Sequence, residues 1–265
     1  MVAPSLQHVT SADGTAIALE QVTEGPRPLV TFPGATAGRA NWSAAAERLD
    51  GSFEVWLADR RGKGDSGDTE PYSFERESED VRAVAAWFGG AATIAAHSSG
   101  AVCVLAAAAS GELPAASLVL YEPPWPLPGR ADYSAALDAM DARLAAGDPE
   151  GVLETGMVRL VEAPPSVVEA MKQTPSWPLR VAQAHTWPRE GRALLRMPEG
   201  TAVLRSVGLR TVMLLGEQSA EHLRASTAAV AEALPHAEVV VLSGQGHAAL
   251  QTAPELVADA ILRRI

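Results

Sequence analysis

Ala96-His97-Ser98-Ser99-Gly100-Ala101 is the stretch on which the reading of this chain turns. It joins a short apolar run, Thr93 to Ala96, to the alanine-rich Gly100 to Ala109. These read as a buried strand and a helix that packs closely on a sheet. A serine on a tight strand-to-helix turn needs small residues two before and two after it, because the backbone is crowded there. Ala96 and Gly100 bracket Ser98 in that way. For Ser99 the bracket would be His97 and Ala101, and an imidazole is too bulky for the place. Ser98 is the expected nucleophile, with the N-terminus of the following helix directed at developing negative charge.

On either side, short β-branched runs alternate with helical stretches, the pattern of a mainly parallel sheet flanked by helices. Val9 to Thr15 holds Asp13-Gly14, a two-residue hairpin signal between two opening strands. Leu29 to Phe32, Phe53 to Ala58 and Ser117 to Tyr121 read as strands, and Ser78 to Phe88 as a helix with Val81, Val84, Ala85 and Phe88 on one face. From Pro123 to about Pro198 prolines recur and no strand stands out. Helical pieces such as Ala131 to Ala146 and Val167 to Gln173 there suggest an insertion over one edge of the sheet. Alternation resumes with the strand Thr211 to Leu215, a helix from Glu221 to Leu234, the strand Glu238 to Leu242 and a terminal helix from Pro254.

The chain has 265 residues and a net charge of −11, with 47% apolar and 20% charged residues. That is the composition of an ordinary globule long enough for a full core. The acidic balance and dispersed positive charge, with Lys63 and Lys172 the only lysines, exclude nucleic acid as a main partner and disfavour anionic membranes. Cys103 is alone, so no internal disulfide or cysteine-based zinc cluster is expected. The histidines are scattered and form no HExxH array, so neither metal nor cofactor is expected. Met1 to Thr10 lacks the pattern of a secretory signal, and no apolar run is long enough to span a bilayer. A cytoplasmic monomer or homodimer with a small-molecule substrate is the expectation.

Three further segments stand in order around the serine: Phe32-Pro33-Gly34-Ala35, then Asp59 through Gly67, then Gly244-Gln245-Gly246-His247. With the serine turn they make the chain resemble the α/β-hydrolase superfamily over nearly its whole length. The resemblance implies a mostly parallel eight-stranded sheet flanked by helices, with core parts at 1–125 and 201–265 and a helical cap at 126–200. It implies backbone N–H groups of Ala35 and Ser99 as an oxyanion hole and His247 as the base that activates Ser98. Such a base contributes roughly 100- to 10,000-fold, and one oxyanion donor about 3 kcal/mol.

The triad's acid departs from the family pattern. Ser219 stands in the loop where relatives carry an Asp, and a serine cannot hold an imidazolium by charge. Glu122 can replace it from the end of the preceding strand, with Pro123-Pro124 stiffening its direction, as some dehalogenase-like relatives do. Glu217 or Glu221 can reach in from the usual loop, or no acid is present. Glu122 is preferred, since a carboxylate ending a buried strand needs a partner.

Arg60 and Arg61 read as neutralising nearby carboxylates within a turn scaffold. Trp125, Trp177 and Trp187 cluster in or beside the insertion, either as its core or as walls of an apolar pocket over Ser98; His185 either faces that pocket or packs in the core. His97 reads as packing beside the serine turn, and His8, His222 and His236 as solvated. The favoured function is hydrolysis of a small apolar ester, lactone or thioester through an acyl-enzyme. Two others remain open: a C–C bond hydrolase, lyase or cyclase using Ser98 and His247 without an acyl-enzyme, and a non-catalytic small-molecule receptor.

Overall fold

The computed structural model describes residues 5–129 and 131–265. Residues 1–4 and 130, assigned from sequence to the core and the cap, lie outside the described residues. In chain order the strands are β1 (Ser5–Thr10), β2 (Ala16–Gln21), β3 (Pro28–Phe32), β4 (Glu54–Ala58), β5 (Thr93–His97), β6 (Ser117–Tyr121), β7 (Thr211–Gly216) and β8 (Ala237–Leu242). They form one sheet in the order β1-β2-β4-β3-β5-β6-β7-β8. The β1/β2 and β2/β4 pairs are antiparallel and all others parallel. Every residue of β5 and β6 is buried, as expected of central strands covered on both faces.

The connecting helices are α1 (Ser43–Leu49), α2 (Phe74–Trp87), α3 (Ser99–Ala109), α4 (Ser134–Ala145), α5 (Pro149–Arg159), α6 (Pro165–Lys172), α7 (Trp177–Gln183), α8 (Thr186–Arg196), α9 (Glu221–Ala233), α10 (Ala249–Thr252) and α11 (Pro254–Arg264). Helix α2 begins earlier than its apolar stripe suggests, because Ser73 caps it by accepting from the Arg76 N–H. Its Val81, Val84 and Ala85 pack with Val102 and Leu105 of α3 on one face of the sheet. On the other face, Ala45 and Leu49 of α1 and Val257 and Ile261 of α11 cover Leu29, Val55 and Val119. The expected two-residue hairpin is a longer connection, Ser11–Thr15, in which the Ser11 N–H donates to Thr15 O and the Asp13 carboxylate accepts from the Thr15 N–H.

Helices α4 to α8 bury a third apolar cluster of their own, built on Leu137, Met140, Leu153, Met157, Trp177 and Trp187. Ala35, in the loop after β3, packs against it. Arg180 of α7 donates to Thr36 Oγ1, and Lys63 pairs with Glu190 of α8. The segment therefore lies over the C-terminal ends of the central strands, not over a sheet edge. Among the described residues no helix is long and apolar enough to cross a membrane.

Candidate active site

Ser98 sits on the turn between β5 and α3 with φ +55°, a left-handed conformation that costs a non-glycine residue on the order of 1–3 kcal/mol. Its N–H donates to Tyr121 O (2.9 Å), and its carbonyl accepts from Ala101 and Val102, so both flanks of the turn are pinned. The small residues around it are a steric requirement. A Cβ on Gly100 would stand 2.4 Å from the Pro33 carbonyl oxygen, and one on Gly34 would stand 3.1 Å from the Ser98 Cβ.

Glu122 directly follows β6, is completely buried, and also has positive φ (+46°). Its Oε2 lies 2.5 Å from His247 Nδ1. Its Oε1 accepts from the Gly216 N–H (2.6 Å) and the Ser219 hydroxyl (2.5 Å). The loop after β7, where the resemblance placed an Asp, thus contributes donors that hold a carboxylate arriving from β6. Both oxygens of Glu122 are engaged, which sets the direction of the imidazole.

The His247 loop is held from beneath. Tyr121 Oη donates to Gly246 O, and His97 Nε2 donates to His247 O at 3.0 Å. The His97 and His247 ring centroids are 4.5 Å apart. Burial, reinforced by His247, pushes the His97 pKa well below the usual histidine range, so His97 stays a neutral donor. The Ser99 N–H, at the first position of α3, has no intrahelical acceptor. Among the described residues no protein group engages the Ala35 N–H either.

Two lobes of a cavity meet at Ala35, Ser98, Trp187 and His247. One, of about 390 Å³, is walled by Trp125, Leu127, Leu137 and Leu194 among others. The second, of about 560 Å³, runs past Met157, Val167 and Met171 to Arg180. Beneath the first lobe is a buried ionic cluster. Arg60 bonds Glu77 and the Ser99 hydroxyl and pairs with Glu190, which also takes Lys63. Arg61 pairs with Asp80 and Asp13, so both arginines neutralise carboxylates as read from the sequence. A polar wall so fully paired gives a rigid base to the helix turn that carries Ser98.

Several expected site residues stand elsewhere. Trp177 is buried inside the α4–α8 cluster, its Nε1–H bonded to Glu150, and lines neither lobe. His185 is exposed, with Nδ1 bonded to the Ala182 carbonyl of its own helical turn. Glu217 is exposed and accepts from Ser243 and the Gly244 N–H, while Glu221 is exposed and pairs with Arg224. The His247 Nδ1 that either would need is taken by Glu122. His222, read as solvated, lines the apolar lobe with its side chain 28% exposed and Glu162 at 3.6 Å. Trp125 and Trp187 do line the cavity.

Three contributors were missed. Ser219 is legible only as a missing Asp, and Glu190 gives no sequence signal because Lys63 lies 127 residues away. Arg180 did leave one: it shares a helix face with Trp177 and Ala184, at the i, i+3, i+7 spacing of a buried stripe.

The profile of the alpha/beta hydrolase family matches residues 29–260. An alpha/beta hydrolase from Sphaerobacter thermophilus DSM 20745 superposes with a TM-score of 0.84 at 38% identity, over 97% of this chain and 99% of that one. An esterase from Rhodococcus sp. ECU1013 superposes with a TM-score of 0.77 at 21% identity, over 98% of each chain. N-formylmaleamate deformylase of Pseudomonas putida is 36% identical over 112 residues, which are 41% of this chain and 42% of that protein.

Proposed function

The chain belongs to the alpha/beta hydrolase family, and on that premise we propose that it is a serine hydrolase working by acyl transfer on a small ester, lactone or thioester. The observation that carries the reading is the Glu122–His247 bond at a cavity that Ser98 also lines. His247 takes the Ser98 hydroxyl proton as Oγ attacks the substrate carbonyl, and Glu122 stabilises the imidazolium that results. The Ala35 and Ser99 N–H groups receive the oxyanion. His247 then returns its proton to the leaving group, and water, activated the same way, releases the acyl group from Ser98.

The likeness to a deformylase favours a second substrate bond, an amide C–N, for the same machinery. A receptor without catalysis loses its motive, since that reading rested on Ser219 standing in place of an acid and Glu122 bonds His247 instead.

Intact mass after treatment with a fluorophosphonate tests the proposal. One adduct on the wild type, absent from Ser98→Ala, is expected. A folded wild type that takes no adduct overturns the acyl-enzyme and leaves proton-transfer chemistry without a covalent intermediate.

A further inference from the structure

The second lobe of the cavity ends on a cation that the protein itself leaves uncompensated. Arg180 is 8% exposed, and its guanidinium donates to Thr36 Oγ1 and Asn41 Oδ1, each at 3.2 Å. Both acceptors are neutral. Among the described residues no carboxylate lies within salt-bridge distance of Arg180. The contrast with the other interior arginines is direct: Arg60 has Glu77 and Glu190, and Arg61 has Asp80 and Asp13. Burial pulls the Arg180 pKa down to about 10, so it remains charged at neutral pH, and no anion pulls it back.

A buried charge without a counter-ion is costly unless something that arrives later supplies one. Arg180 is also placed where an arriving group would matter. It lines the lobe that contains Ser98 and His247, and its partner Thr36 is the residue after Ala35. It is the only Arg or Lys among the described residues lining that lobe. One carboxylate, Glu162, also lines it, but that side chain is 55% exposed and lies against His222.

We propose that Arg180 is the anchor for a carboxylate of the substrate, so that the hydrolysed molecule is a small acid bearing its free carboxylate a few bonds from the scissile acyl group. The planar guanidinium, with N–H groups to spare beyond those given to Thr36 and Asn41, suits a carboxylate held in a bidentate pair. The lobe walled by Trp125 and Leu127 then takes the apolar end of the same molecule. This inference rests on the acyl-transfer reading of Ser98 for the bond that is cut, but not for the binding itself.

The test uses two isosteric pairs, one for each side of the ester. Methyl hydrogen succinate is compared with methyl 4-methylpentanoate, and acetoxyacetate with isobutyl acetate, by kcat/KM at neutral pH. The wild type is expected to prefer the charged member at least tenfold in one pair, and Arg180→Met to reduce that preference ratio at least tenfold. Should Arg180→Met not fold, Arg180→Lys reads the same ratio and gives an intermediate value, since an ammonium keeps the charge and loses the fork. In parallel, millimolar succinate should raise the Tm of Ser98→Ala protein while the neutral diamide succinamide does not. No charged preference in either pair, or a preference untouched by the Arg180 variants, overturns the proposal while acyl transfer stands. A succinate-specific Tm rise without turnover of any ester, and with Ser98 unlabelled, upholds the anchor and overturns acyl transfer.

Discussion

Glu122 Oε2 and His247 Nδ1 are 2.5 Å apart although 125 residues separate them in the chain. The carboxylate comes from the end of β6, one strand earlier than the loop in which Ser219 stands. The loop after β7 keeps a part in the site as a donor, through the Gly216 N–H and the Ser219 hydroxyl.

Replacing that carboxylate by an amide therefore removes charge and the correct imidazole tautomer together. Glu122→Gln is expected to lower kcat by roughly 100- to 10,000-fold, in the range seen when a triad acid is neutralised. Glu217→Gln, which alters only the contacts to Ser243 and Gly244, should stay within about twofold of wild type. Steady-state kinetics on a common ester checks both, and the reverse ranking would move the acid to the β7 loop.

Neutral His97 sets the form of the pH profile. Burial keeps it unprotonated well below the usual histidine range, so His97 adds no ionisation to the acid limb of the rate profile. Log kcat/KM is expected to rise on that limb with a limiting slope of about 1 in a pH–rate profile. A slope of 2 would show that His97 also gives up a proton on that limb.

Gly100 is the tightest point of the serine turn. Gly100→Ala puts a methyl group 2.4 Å from Pro33 O and 2.8 Å from Phe32 O, backbone atoms at the end of β3 and the start of the loop that carries Ala35. Overpacking of this kind costs about 1–3 kcal/mol. Urea unfolding should show that loss, and the residual folded protein should also be slow, since the displaced loop carries Ala35.

The Lys63–Glu190 pair links the core to α8 in the interior. Glu190→Leu strands Lys63 and takes one anion from Arg60, an uncompensated burial of charge that costs about 3–5 kcal/mol. Adding Lys63→Met should recover part of it, measured as the urea midpoint of the double variant against the single one. No recovery would mean that the pair does not act as a unit.

Much of this was legible in the sequence because it depends on local sterics. The Ala96–Gly100 bracket picks Ser98 over Ser99 by the crowding of a single turn, and the β-branched runs mark strands whose faces are both covered. His247 comes through the family resemblance, from its loop after the last strand, and Glu122 is the preferred of several candidates for the acid. The pocket walls were less legible. Trp125, Trp177 and Trp187 have similar settings in the chain, yet of the three only Trp125, in the loop after β6, and Trp187, on α8, line the cavity, while the packing of α7 turns Trp177 into the α4–α8 cluster. His185, at the start of α8, is exposed, and His222, on α9, lines the apolar lobe, placements set by which helix ends converge on the cavity.

By itself, then, the chain's order of residues determines the strand-and-helix frame and the tight turn that carries Ser98, since each depends on neighbours within a few positions. Tertiary structure decided which carboxylate meets His247, the paired charges under α3 and the uncompensated Arg180. Those depend on which strand ends and helix faces converge in space, and on whether a counter-charge from elsewhere in the chain reaches a buried group. Arg60, Arg61 and Arg180 are chemically alike in the sequence, and only their surroundings in the fold make two of them part of the scaffold and leave the third open toward the cavity.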